Sequence, residues 1–143
     1  MKDRRFFDTN VLVYAFDLNE PQKRASVLKL ISNMEESNET MSISTQVLLE
    51  FYSAVTTKIS VPIERKEAAA IINDFAAASE WIKLEYTLET ARKAAVLSSE
   101  HKVPIWDALI AETMKENGVD TILTENEKDF KKVPGIKVIN PFK

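Results

Sequence analysis

Four acidic side chains in this 143-residue chain stand where a carboxylate is either costly or useful. Asp8 follows Phe6-Phe7, Glu50 sits within Val47-Leu48-Leu49-Glu50-Phe51, and Asp107 within Ile105-Trp106-Asp107-Ala108-Leu109-Ile110. The fourth, Asp129, ends the polar run Thr124-Glu125-Asn126-Glu127-Lys128-Asp129. On a helix, Glu50 lies ~60° from Val47 and ~40° from Ala54, beside an apolar stripe. Carboxylates set against a core are expensive unless paired, hydrogen-bonded or bound to a cation. Several of them converging would also raise one another's pKa. A divalent ion relieves both problems. An all-oxygen donor set without His or Cys favours Mg²⁺ or Mn²⁺ and leaves room for a substrate phosphate. Such an ion suits in-line displacement at a phosphodiester.

Taken singly, each acid has a plainer reading. Asp8 can cap the short helix after it, Asp107 can complement a helix dipole, Glu50 can be a buried acid held by one cation, and Asp129 can be a solvated loop residue. It is their common placement, each after a strand or early in the next helix, that argues for a shared site.

The elements that must position them alternate. Arg5–Asp8 reads as a strand and Thr9–Phe16 as a turn or short helix. Pro21–Glu36 is a helix with Pro21 in its first turn. Met41–Ser44 is a strand, followed by a helix from an N-cap at Thr45 to about Lys58. Glu64–Ala78 is an alanine-rich helix, Trp81–Glu85 a strand, and Thr87–Lys102 a helix. Pro104 opens a helix that stops at Asn117-Gly118. Thr121–Thr124 is a strand, Glu125–Lys132 a polar connection, and Ile136–Ile139 a last strand. Strands separated by helices imply parallel pairing in an α/β sandwich, with one domain expected over residues 1–143. In such sheets the crevice lies beyond the carboxyl ends of the strands.

Composition narrows the classes further. The chain is 45% hydrophobic and 29% charged, which excludes disordered and low-complexity proteins. It has no cysteine, so disulfides, thiolate metal sites and cysteine nucleophiles are excluded, and one histidine, His101, excludes sites needing two imidazoles. A net charge of −3 rules out a uniformly basic nucleic-acid surface. No apolar run approaches the roughly 20 residues of a membrane span, and the expected location is the cytoplasm.

With these residues quoted, the chain resembles the PIN-domain nucleases, and among them the VapC-type ribonuclease toxins. The matching segments are Phe7-Asp8-Thr9-Asn10-Val11-Leu12-Val13-Tyr14-Ala15, Ile43-Ser44-Thr45-Gln46-Val47-Leu48-Leu49-Glu50-Phe51-Tyr52, Trp106-Asp107-Ala108-Leu109-Ile110-Ala111 and Ile122-Leu123-Thr124-Glu125-Asn126-Glu127-Lys128-Asp129-Phe130, closed by Val138-Ile139-Asn140-Pro141-Phe142. The resemblance implies a three-layer α/β/α sandwich with a mainly parallel sheet of about five strands. It implies Mg²⁺- or Mn²⁺-dependent RNA cleavage and inhibition by a cognate antitoxin protein. It maps the family's acids onto Asp8, Glu50 and Asp107, and its supporting hydroxyls onto Thr9 and Thr124. Many relatives have aspartate where this chain has Asn126, so the fourth acid is assigned to Asp129, with Glu125 as the substitute.

An acidic RNA-binding protein needs local cations. Arg4-Arg5, Lys23-Arg24, Arg65-Lys66, Arg92-Lys93 and Lys131-Lys132 are the candidates for phosphate contacts, with Lys128, Lys131 and Lys132 at the lip of the site. Trp106 is expected in the core rather than stacked on a base, and His101 at the surface. The run Ala68-Ala69-Ala70 to Ala76-Ala77-Ala78 fits either core packing or a homodimer or antitoxin groove. Two other classes compete. One is a catalytically silent module that holds Mg²⁺ while capturing a partner. The other is an aspartyl phosphotransfer domain, which needs a second acid near the first, whereas Asp8 is followed by Thr9-Asn10.

Overall fold

Apolar residues in the short strand runs face neighbours on both sides, which suits a sheet covered by helices on each face. A computed structural model describes residues 4–143. In chain order the elements are β1 (Arg4–Phe7), α1 (Thr9–Tyr14), α2 (Pro21–Glu36), β2 (Thr40–Ser44), α3 (Thr45–Thr57) and α4 (Arg65–Ala77). They continue with β3 (Trp81–Leu84), α5 (Leu88–His101), α6 (Ile105–Glu116), β4 (Thr121–Leu123), α7 (Glu127–Phe130) and β5 (Lys137–Ile139).

The strands form one sheet in the order β3-β2-β1-β4-β5, and every pairing is parallel. Central β1 aligns Phe6 with Ser42 of β2 and with Ile122 of β4. The chain steps outward from β1 to β3, then returns to the other side of β1 for β4 and β5. Right-handed crossovers place the helices of these two halves on opposite faces of the sheet. In keeping with that, α1 packs against α2 and α3, while α5 packs against α6. The α/β architecture expected from the alternation is the one observed.

Phe6, Phe7, Phe51 and Ile122 are fully buried in the main core. Edge-to-face aromatic contacts run through it, with Phe7–Trp81 at 4.9 Å, Phe75–Trp81 at 5.3 Å and Phe16–Phe51 at 5.2 Å between ring centroids. Such pairs contribute roughly 0.5–1.5 kcal/mol each beyond burial. A second cluster of Ala94, Leu97, Ala108, Leu109 and Val133 joins α5 and α6. The α6 stop is a Schellman turn, with Gly118 at φ 70° and the Val119 N–H donating to the Met114 carbonyl at 3.0 Å.

Three local expectations are corrected. Ser44, not Thr45, caps α3: its Oγ accepts from the Val47 N–H at 3.2 Å, and Thr45 is the first helical residue. Strand β1 ends at Phe7, and Asp8 becomes the extended N-cap of α1. The polar connection contains the short helix α7, because Phe130 turns inward to full burial.

Candidate active site at the sheet switch point

The order β2-β1-β4 makes β1 the strand from which the chain winds both ways, so the crevice of the sheet opens beyond the carboxyl ends of β1 and β4. Asp8 follows β1 there, and Thr124 follows β4. The Asp8 N–H extends the ladder by donating to the Leu123 carbonyl at 3.0 Å. The Thr124 hydroxyl donates to Asp8 Oδ2 at 2.7 Å. Asp8 also accepts from the Thr9 N–H on Oδ1 at 2.8 Å and from Asn10 Nδ2 on Oδ2 at 3.2 Å. Its residue is only 5% exposed.

Helix α3 brings Glu50 to the same place. The Thr9 hydroxyl donates to Glu50 Oε1 at 2.7 Å, and Gln46, one turn earlier, donates through Nε2 to Oε2 at 3.2 Å. The same Gln46 Nε2 donates to the Trp106 carbonyl at 3.0 Å. It thereby ties α3 to the first turn of α6, where Asp107 stands. Asn126 completes the arrangement from the β4–α7 loop. Its Nδ2 donates to Asp107 Oδ2 and to Asp129 Oδ2, both at 3.1 Å, and its N–H donates to the Thr124 hydroxyl at 2.9 Å.

Asp8, Thr9, Glu50, Asp107 and Asn126 all line one cleft of about 480 Å³. Asp129 reaches it through Asn126. The cleft holds charge at an energetic cost. Burial pushes the Asp8 carboxyl up to about 6, against the opposing hydrogen bonds from Thr124 and Thr9, with the Glu50 charge adding to the rise. Burial, followed by the charges of Asp8, Asp129 and Glu50, pushes Asp107 up to about 6. The Asn126 hydrogen bond only partly offsets this. These are the signatures of desolvation and like-charge crowding.

Among the described residues, no three carboxylate or imidazole side chains close around a single point as ligands. The donor set nevertheless fits a hard, largely hydrated dication, which takes one or two carboxylates and keeps its other positions for water and phosphate. Neutral hydroxyl and amide donors, rather than Lys or Arg, hold Asp8, Glu50 and Asp107, so their negative charge is left uncancelled.

Asn10 and Gln46 join the site, although neither is among the site residues expected from the sequence. Gln46 is only 7% exposed, and its spacing four residues before Glu50 on one helix is the signal that could have found it. Its Oε1 has no protein partner among the described residues. Glu125, the substitute acid, is turned away. Its Oε2 meets Lys23 Nζ at 2.5 Å and its Oε1 accepts from the Tyr14 hydroxyl at 2.8 Å.

The expected core role of Trp106 is overturned. The residue is 60% exposed, because Ala108, Leu109 and Ile110 take the inner face of α6 and leave its first-turn indole beside a shallow apolar groove with Tyr86 and Ile105. His101 is exposed at the end of α5, as expected. In α4 only Ala68 is buried, with Ala69, Ala70, Ala76 and Ala77 exposed. Several candidate phosphate cations are already engaged: Arg92 with Glu89 at 2.5 Å, Lys131 with Glu127 at 3.6 Å and Lys132 with Asp129 at 3.5 Å. No helix among the described residues is long and apolar enough to cross a membrane.

Sheet order and cleft together define an α/β protein with an acidic crevice at its topological switch point. The family model for the PIN domain matches residues 5–136, and the chain belongs to that family. Ribonuclease VapC24 of Mycobacterium tuberculosis is 27% identical over 128 residues, covering 86% of each chain. VapBC2 of Rickettsia felis, solved bound to a DNA fragment from its promoter, superposes with a TM-score of 0.66 at 22% identity, covering 96% of this chain and 98% of that one. Mycobacterium tuberculosis VapC20, a sarcin-ricin loop cleaving toxin, superposes with a TM-score of 0.69 at 12% identity, covering 89% and 93%. The structural likenesses define the fold. Members of the family are typically Mg²⁺-dependent.

Proposed function

We propose that this protein is a Mg²⁺- or Mn²⁺-dependent endoribonuclease and the toxin of a toxin–antitoxin pair. The observation that carries the reading is the set of acids held by neutral donors in one cleft, with Asp8 and Asp107 both raised to about 6. Membership of the PIN family and the likeness to a VapC ribonuclease support the choice of RNA as substrate. The likeness to VapBC2, and to a toxin–antitoxin complex from Klebsiella pneumoniae, supports an antitoxin protein as partner. The exposed small residues of α4 are the surface assigned to that partner or to a second copy in a homodimer.

Asp8 and Asp107 would hold the ion, with Glu50 and Asp129 completing the pocket. A bound dication supplies charge neutralisation at the phosphodiester and activation of the attacking water. The chain's own work is to orient and to accept a proton. Thr124, Thr9 and Asn10 hold the Asp8 carboxylate in one rotamer, and Gln46 and Thr9 do the same for Glu50. Asn126 donates to Asp107 Oδ2, while Oδ1 takes no hydrogen bond from the described residues and is left free to meet the ion, so that one of the remaining carboxylates of the pocket takes the proton of the attacking water. The test is sequencing of RNA 5′ ends after brief induction, with Asp8→Asn as control. New ends confined to the unaltered protein are expected. Identical end profiles for both proteins would reject the reading.

A further inference from the structure

The walls of the cleft include four carboxylates, those of Asp8, Asp17, Glu50 and Asp107, and among its lining residues a single cation, Lys58. A polyanionic strand entering there is repelled at every charged position but one. Lys58 follows α3 as its C-cap, eight residues after Glu50 and about 12 Å along the axis. Ser53 and Ala54 line the cleft between them, so one stripe of α3 leads from the acids to this lysine.

The backbone of Lys58 is fixed. Its N–H donates to the Ala54 carbonyl at 2.8 Å, and the Ile63 N–H donates to the Val55 carbonyl at 2.8 Å just beyond. Its ammonium is not spent elsewhere among the described residues. Ion pairs among the described residues engage Lys23, Lys131 and Lys132, but none engages Lys58. The side chain is exposed at the helix end, with a flexible stem and a compact charge suited to a phosphate oxygen.

From this placement we infer that Lys58 binds a backbone phosphate neighbouring the scissile one, so that the RNA strand runs along α3 from Glu50 toward the end of the helix. The inference rests on reading the cleft as a ribonuclease site. A competing role also exists, since a lysine at a helix C-terminus complements the dipole. That role predicts a change in stability and none in RNA affinity.

The test compares unaltered protein, Lys58→Ala, Lys58→Arg and Lys29→Ala, the last an exposed α2 cation away from the cleft. Binding of a fluorescein-labelled oligouridylate is measured across salt concentrations by anisotropy. Mg²⁺-stimulated cleavage of the same oligomer is followed separately. With Lys58→Ala, the slope of log affinity against log salt should become shallower by about one. KM should rise about fivefold with kcat kept, the pattern of a lost uniform binding contact. Lys58→Arg should restore both quantities, and Lys29→Ala should match the unaltered protein. An unchanged salt slope and KM in Lys58→Ala overturns the inference, as does a loss equalled by Lys29→Ala. Unaltered protein that binds the oligomer without cleaving it sinks the ribonuclease reading, while the salt slopes still decide on Lys58. Unaltered protein that does neither overturns both.

Discussion

Two neighbouring residues after β4 enter opposite kinds of environment. Glu125 leaves the cleft and meets a cation: Lys23 donates to it and to the Tyr14 hydroxyl, and lies 4.6 Å from the Tyr14 ring centroid and 5.4 Å from that of Phe142. This clamp ties α1, α2, the β4–α7 loop and the C-terminal segment together. Asn126 points the other way and joins two carboxylates through one amide. Hydrogen bonds from Lys23 and Tyr14 hold the Glu125 carboxyl below its usual range in spite of burial, whereas Asp8 and Asp107 are pushed above theirs. The contrast separates an acid that serves the fold from acids left in need of a positive charge. Asn126 is what lets these two carboxylates stand close together. An amide there donates to Asp107 and Asp129, where a further carboxylate would repel both.

The largest expected effect tests the cleft side of this contrast. Asp8→Asn and Asp107→Asn should each lower Mg²⁺-stimulated RNA cleavage by at least about a hundredfold, the equivalent of roughly 3 kcal/mol of transition-state stabilisation. Circular dichroism should show an unchanged fold. Cleavage near the unaltered rate in either purified variant would break the assignment.

A second test concerns stability against pH. Because the folded-state pKa of Asp8 lies near 6, above its ordinary 3.8, the folded chain holds that proton more tightly than the unfolded one. The stability this contributes is fully present below about pH 4, and it is lost as pH rises through about 6. Metal-free protein should therefore be destabilised at neutral pH by on the order of 3 kcal/mol through this group. Mg²⁺ should restore thermal stability at pH 7 to 8 by mass action, and Asp8→Asn should blunt both the pH effect and the Mg²⁺ effect. Differential scanning fluorimetry across pH, with and without Mg²⁺, reads all three.

The clamp side predicts the reverse pattern. Lys23→Met should lower the melting temperature by a few degrees, in line with a half-exposed ion pair and cation–π contact together worth about 1 kcal/mol. Cleavage should stay within a few-fold of the unaltered rate. A loss of activity as deep as that of Asp8→Asn would erase the distinction between the two regions.

The smallest effect is expected at Trp106. A core tryptophan cut to alanine costs about 3–5 kcal/mol. At 60% exposure, Trp106→Ala should shift stability by less than about 1 kcal/mol in urea titration. A core-sized loss would mean that the indole packs against something in solution.

Much of this was legible in the linear chain. Pro21 at the start of α2 and the Asn117-Gly118 stop of α6 stand where local chemistry places them. The acids fall where an alternating pattern puts the ends of parallel strands. The cap read at Thr45 falls one residue earlier, on Ser44, and the polar connection carries the single turn of α7, because adjacent hydroxyl residues cap equally well on paper and a polar stretch carries no periodicity. Trp106 differs from its sequence reading because an apolar side chain in an apolar helix reads as buried. Only the packed helix shows which of its faces the sheet has room to cover.

Sequence alone determined the alternation of strand and helix, and with it a parallel sheet whose acids gather at one rim, because periodicity and caps act within a few residues. Tertiary structure alone decided how each acid is balanced. Glu125 finds Lys23 across 102 residues of sequence, and Gln46 reaches the Trp106 carbonyl across 60. Electrostatic partnership depends on distance in space and on the exclusion of water, and neither exists until the chain has closed.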